Sequence, residues 1–141
     1  MARTNPAIAM LANVELFREC SKKELGQILA VSKEIRFPAG KDITVEGQPS
    51  GRFYLVLDGA VAVKRKGRTR ATLGPGSYFG EIALIDGGPR TATCTAVTAV
   101  DTLAIAQFNF GPLVKEHPGL AHKLLLHLCS RLRAAEAQLT D

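Results

Sequence analysis

Glu81 and Arg90 stand nine residues apart in the run Phe79-Gly80-Glu81-Ile82-Ala83-Leu84-Ile85-Asp86-Gly87-Gly88-Pro89-Arg90-Thr91-Ala92-Thr93. A glycine and a carboxylate open a short apolar, helix-like turn, and an arginine closes the loop that follows it. A helix start exposes N–H donors and a partial positive charge, which suits a phosphate. An arginine neutralises a phosphate through a charge-assisted fork of donors. A carboxylate repels phosphate but accepts hydrogen bonds from sugar hydroxyls. One of each therefore fits a compact ligand carrying a single anionic phosphate beside a ribose.

A cyclic nucleotide meets that description. The two segments Phe79-Gly80-Glu81-Ile82-Ala83-Leu84-Ile85 and Pro89-Arg90-Thr91-Ala92-Thr93 closely resemble the phosphate-binding cassette of the cyclic-nucleotide-binding domain family. That family includes the catabolite activator protein, the regulatory subunits of cAMP-dependent protein kinase, cGMP-dependent protein kinase and cyclic-nucleotide-gated channels. The resemblance extends from about Leu11 to Leu139. It implies that Glu81 accepts from the ribose 2′-hydroxyl and that Arg90 pairs with an exocyclic phosphate oxygen. Gly80, Ile82 and Ala83 are expected to act through the backbone at the helix start, and Ala92 through its small size and its amide. For each of these four, plain packing is the alternative. Glu81 could equally be an ordinary helix-start carboxylate, and Arg90 a surface arginine after a turn.

Thr91 bears on the base. In the family, threonine after the arginine is typical of cGMP-preferring domains and contacts the guanine amino group, whereas alanine is typical of cAMP-preferring kinase domains. The other reading of Thr91 is a β-branched residue opening a strand. The resemblance also implies a C-terminal helix that covers the base. Where the catabolite activator protein has hydroxyl residues on that helix, this chain has Arg131-Leu132-Arg133-Ala134-Ala135-Glu136. Arg131, Arg133 or Glu136 could still reach the base across Ala135, an arginine by stacking on it. The expected ligand is cAMP or cGMP, with no further cofactor.

A chain of 141 residues is expected to form one domain, spanning 1–141, with a core that needs no metal or disulfide. No long uncharged apolar run is present, so membrane insertion is not expected. The N-terminal Met-Ala-Arg-Thr-Asn-Pro lacks the apolar centre of a signal peptide. Cys20, Cys94 and Cys129 show no pairing rhythm, which favours a reducing, cytoplasmic setting and a packing role for each. The net charge of +5 owes much to Lys64-Arg65-Lys66-Gly67-Arg68-Thr69-Arg70. That run reads as a solvated hairpin tip with Gly67 in its turn, or else as a contact patch for nucleic acid or an acidic protein. No aromatic residue interleaves with it to stack on bases.

Those residues need elements to position them. Ser21-Lys22-Lys23-Glu24 is a capping box ahead of Leu25, Ile28 and Leu29, and Met10 to Phe17 also reads as helical. From Ile35 onward short apolar runs alternate with turns: Ile35–Phe37, Ile43–Val45, Phe53–Leu57, Ala60–Val63, Thr91–Val97 and Val100–Ala106. Eight or so strands at that spacing indicate a sandwich or jelly roll. The resemblance narrows this to a mainly β double-stranded β-helix, or roll, over 33–106, with helices over 6–32 and 107–139. Phe108, Phe110 and Leu113 mark a short helix that His117-Pro118-Gly119 breaks. A longer helix follows, its stripe of Leu120, Leu124, Leu128 and Leu132 extended by Leu125, Ala135 and Leu139. The stripe either packs on the roll, pairs in a homodimer or acts as a mobile lid.

His117, His122 and His127 are five apart and scatter around a helix, so no metal site is expected. Gly74, Gly76 and Gly80 do not form a dinucleotide fingerprint, and no nucleophile motif or catalytic constellation appears. The expected function is therefore a non-enzymatic cyclic-nucleotide receptor that reports its ligand by helix movement to a partner or effector. Either it is a free-standing module or a part of a larger protein. The alternative is a roll of the same fold serving as regulator or scaffold with another ligand, or with a protein or nucleic-acid partner. Without a helix-turn-helix, DNA binding is not expected.

Overall fold

The computed structural model describes residues 6–49 and 51–140, with the side chains of Ile82 and Thr140 set aside. The reading of the extreme N-terminus therefore lies outside the described residues. Helices α1 (Pro6–Ala12) and α2 (Lys22–Ala30) flank a 3-10 turn at Glu15–Phe17. Eight strands follow, β1 (Ser32–Phe37), β2 (Asp42–Thr44), β3 (Arg52–Asp58), β4 (Val61–Arg65), β5 (Arg68–Leu73), β6 (Tyr78–Phe79), β7 (Thr93–Ala96) and β8 (Val100–Ala106). Helix α3 (Glu81–Asp86) interrupts them, and α4 (Gln107–Glu116) and α5 (Pro118–Thr140) end the chain.

The strands form two antiparallel four-stranded sheets, ordered β1-β8-β3-β6 and β2-β7-β4-β5. This is the mainly β roll with flanking helices that the sequence suggested. Strand β3 shows why the sheets sit as they do. Its side chains alternate between two apolar clusters, so Phe53–Val56 is a continuous buried run. Tyr54 and Val56 face the roll interior with Val61, Phe79, Cys94 and Ala104. Phe53 and Leu55 face outward into a helical cluster with Phe17, Leu84, Phe110, Leu120 and Leu124. The Phe17 ring packs edge-on to Phe53 at 5.7 Å.

The capping box forms as read: the Ser21 amide donates to Glu24 Oε1 at 2.8 Å and the Glu24 amide to Ser21 Oγ at 3.1 Å. The helix expected across Met10–Phe17 instead breaks at Val14, which is extended. Val14, Leu16 and Phe17 are all buried, and one face of an α-helix cannot turn three of four successive side chains inward. The break expected over His117–Gly119 shrinks to His117 alone. Pro118 opens α5, where a missing N–H costs nothing, and Leu120 and Ala121 donate to the His117 carbonyl. Thr91 and Ala92, read as part of a strand, precede β7 on a bend.

Candidate functional site

Helix α3 stands between the two clusters. Ala83 lines a cavity in the roll, while Leu84, the next residue, is fully buried in the helical cluster. The helix is short because glycines in the left-handed region close both ends, Gly80 at φ 87° and Gly87 at φ 69°. Gly80 is required twice over. Its φ disfavours any side chain, and a Cβ there would overlap Arg90 Nη1 and lie 2.6 Å from the Arg52 carbonyl oxygen. Glycine at this point thus seats the arginine, a stronger demand than the open approach to a ligand inferred from sequence.

The cavity, of about 430 Å³, gathers Phe79, Gly80, Glu81, Ala83, Arg90, Thr91 and Ala92 from the expected set. Phe79 is also structural, its ring stacked on Tyr54 at 5.2 Å. Ile82 contributes its backbone to the first turn of α3. The lining also includes Thr44, Val63, Arg65, Leu73, Tyr78 and Cys94, none of which the sequence reading put in the site. The signal for Val63 and Arg65 was present, since Val61, Val63 and Arg65 alternate along β4 and so share one face.

Arg90 is 6% exposed, and its Nη2 donates to the Arg52 carbonyl. Its backbone is equally fixed: the Arg90 amide donates to Gln48 O at 3.0 Å, and the Gly47 amide donates to Arg90 O at 2.8 Å. Burial lowers its pKa from the ordinary arginine value, opposed by the nearby Tyr54, Cys94 and Glu81. It stays a cation, and a buried cation is strongly favoured by an anion brought beside it. Burial also pushes the Cys94 thiol up, so it is not a thiolate nucleophile at neutral pH.

Glu81 opens α3 and its Oε1 receives Arg131 Nη1 at 3.0 Å. Arg131 comes from α5, whose first turns are anchored by the buried Leu120 and Leu124 and by Lys123 Nζ on Glu24 Oε1 at 2.7 Å. That bond to Lys123 holds the Glu24 carboxyl below its usual range. Beyond Leu124 the expected stripe parts from the body: Leu125, Leu126, Leu132 and Leu139 are exposed and Leu128 is half-buried. Arg133, Ala135 and Glu136 are exposed and do not line the cavity, so of the proposed lid residues only Arg131 reaches the site. Cys129 is exposed on the same stretch, against the packing role expected of it; Cys94 is buried and Cys20 half-buried.

The far end of α3 is tied down as well. Gln107, at the start of α4, donates from Nε2 to the Ile85 carbonyl at 3.0 Å, and its own amide donates to Gly51 O at 2.6 Å. The basic hairpin is a β4–β5 turn at Lys66 (φ 51°) and Gly67 (φ 75°), solvated at its tip as read. Among the described residues no cluster of three metal-ligating side chains occurs, and no helix is long and apolar enough to cross a membrane.

Known proteins are similar to this chain in sequence and in fold. The family model described as the cyclic nucleotide-binding domain matches residues 34–117. The Cyclic AMP receptor protein of Thermus thermophilus is 35% identical over 129 residues, 88% of this chain and 60% of its own length. A CRP-like cAMP-activated global transcriptional regulator of Mycobacterium tuberculosis is 28% identical over 137 residues, 94% of this chain and 61% of its own. The chain thus spans about three fifths of the length of those two relatives. Among solved structures, the N-terminal domain of a transcriptional regulator from Streptomyces coelicolor A3(2) superposes with a TM-score of 0.85 at 32% identity, covering 92% of this chain and 94% of that one. With the roll, the Glu81–Arg90 cavity and these matches together, the chain belongs to the cyclic nucleotide-binding domain family.

Proposed function

We propose that this chain binds cAMP or cGMP in the cavity beneath α3 and reports it through α4 and α5. The observation that carries this is the buried Arg90 guanidinium lining the same cavity as the Glu81 carboxylate. Arg90, with the amides of the first turn of α3 and of Ala92, would hold the phosphate. Glu81 would accept from the ribose hydroxyls.

The route outward follows from the ties on α3. Its Glu81 end is paired to Arg131 of α5, its Ile85 end to Gln107 of α4, and Leu84 lies in the cluster that seats both helices. A ligand that takes over Glu81 would compete with Arg131, and a shift of α3 would repack Leu84 against Phe110, Leu120 and Leu124. A partner or effector would then read the position of α5. The exposed Leu125, Leu132 and Leu139 are seven apart, with Ala121 ahead of them and Leu128 and Ala135 between them, at three- and four-residue steps. That spacing supports pairing with a second copy of the helix.

Calorimetric titration with cAMP and with cGMP tests the reading. Arg90→Ala is expected to weaken binding by about 2–5 kcal/mol. Unchanged affinity in that variant would remove Arg90 from the site, and no binding of either nucleotide to the intact chain would overturn the reading itself.

A further inference from the structure

We propose a second ligand site, for a small dicarboxylate, in a cavity of about 410 Å³ at one end of the β1-β8-β3 sheet. It shares no lining residue with the cavity beneath α3. Lys33 on β1 and Arg52 on β3 line it from either side of β8, and Asn109 lines it from the first turn of α4. Across the ladder Lys33 pairs with Ala104 and Arg52 with Ala106, so the four residues lie on one face of the sheet. The two alanines leave that face hollow. Farther along β3 the same face carries Tyr54 and Val56, which are packed into the roll interior.

The hollow is positive. None of the described residues that line it is acidic. Among the described residues, the ion pairs are Arg36–Asp101, Lys123–Glu24 and Arg131–Glu81, and neither Lys33 nor Arg52 enters one. Ala106 supplies a further feature, since it both lines the cavity and stands at the N-cap of α4. An alanine there has no oxygen to offer the amides of the first turn, so that helix start keeps unsatisfied donors and a partial positive charge. The Ser32 hydroxyl is already donated to the Leu29 carbonyl at 2.5 Å, which leaves Lys33, Arg52, Asn109 and the start of α4 to meet a ligand.

The spacing selects the ligand. Arg52 pairs with Ala106 and therefore stands beside the start of α4, where a guanidinium fork and helix amides together suit one carboxylate. Lys33 stands across β8, and at a strand spacing of about 4.8 Å its backbone is roughly 10 Å from that of β3. A second carboxylate, at the far end of a short apolar chain lying over Ala104, reaches Lys33; a single carboxylate serves one end alone. Arg52 also touches the other cavity, because its carbonyl accepts from Arg90. A dicarboxylate bound here thus fastens the residue on which Arg90 rests.

The test is an NMR titration of backbone amides in the full chain with glutarate and with butyrate, at constant ionic strength. The two probes share a three-carbon apolar chain but carry two carboxylates and one. Glutarate is expected to shift the amides of residues 31–35, 52 and 104–109 saturably, with a dissociation constant about tenfold or more below that of butyrate. Lys33→Gln and Arg52→Gln, both at exposed positions, should each bring glutarate to within about twofold of butyrate. Butyrate binding as tightly as glutarate overturns the proposal, as does glutarate binding that neither variant weakens. No saturable shift, or larger shifts over residues 80–92 than at this cavity, also overturns it. None of these failures touches cyclic-nucleotide binding, which is read from a different cavity and a different ligand.

Discussion

Arg90 and Arg131 approach the cavity under opposite constraints. Arg90 is buried, held to the Arg52 carbonyl, seated on a glycine that admits no Cβ, and fixed through its backbone to residues 47 and 48. Arg131 sits on the exposed part of α5, its side chain 46% exposed and paired to Glu81 at 3.0 Å. An exposed ion pair contributes little and exchanges readily, while a buried cation is strongly coupled to whatever anion arrives. The lesson is a division of labour: the roll carries the permanent machinery, and the helix carries a contact that a ligand can take over.

The largest effects should fall on the Arg90 side. Beyond the loss of binding expected for Arg90→Ala, Gly80→Ala should cost about 2–4 kcal/mol of stability, from the left-handed backbone and the overlap with Arg90 together. Thermal unfolding measures it, and a melting temperature equal to that of the unaltered chain would show that Arg90 has room to move. Next comes the exposed helix. Leu132→Lys, placed in the middle of the seven-residue repeat, should weaken self-association at least about tenfold in sedimentation equilibrium; equal association in both proteins would remove the seam. The smallest effect belongs to Arg131→Ala, which releases Glu81 and should tighten nucleotide binding by no more than about fivefold, fading as salt is added. A loss comparable with that of Arg90→Ala would erase the contrast, since Arg131 would then belong to the fixed machinery.

Much of this was legible from local chemistry. The α2 capping box, the turn glycines and the runs that became β1, β3 and β8 depend on near neighbours and on a two-residue period, so they survived folding with shifted ends. The Glu81–Arg90 spacing was also readable, because one short helix and one loop bring the two residues to the same cavity. What was not readable depended on distant partners. Arg65 looked like one charge among many until the sheet faced it into the roll. Thr91 looked like a strand residue until β7 began at Thr93. The stripe on α5 looked continuous, yet of its residues only Leu120 and Leu124 are fully buried.

By itself the sequence determined the type of chain and its chemistry. Residue type and local period gave the short strands of a sandwich or jelly roll and a carboxylate and an arginine at fixed spacing, and the family resemblance narrowed the strands to a roll. Only the tertiary structure decided how the two arginines differ, because burial and ion pairing depend on which segments meet across 38 and 50 residues of chain. It placed Arg52 O under Arg90 and Arg131 on Glu81. Neither contact has any trace in the residues beside it.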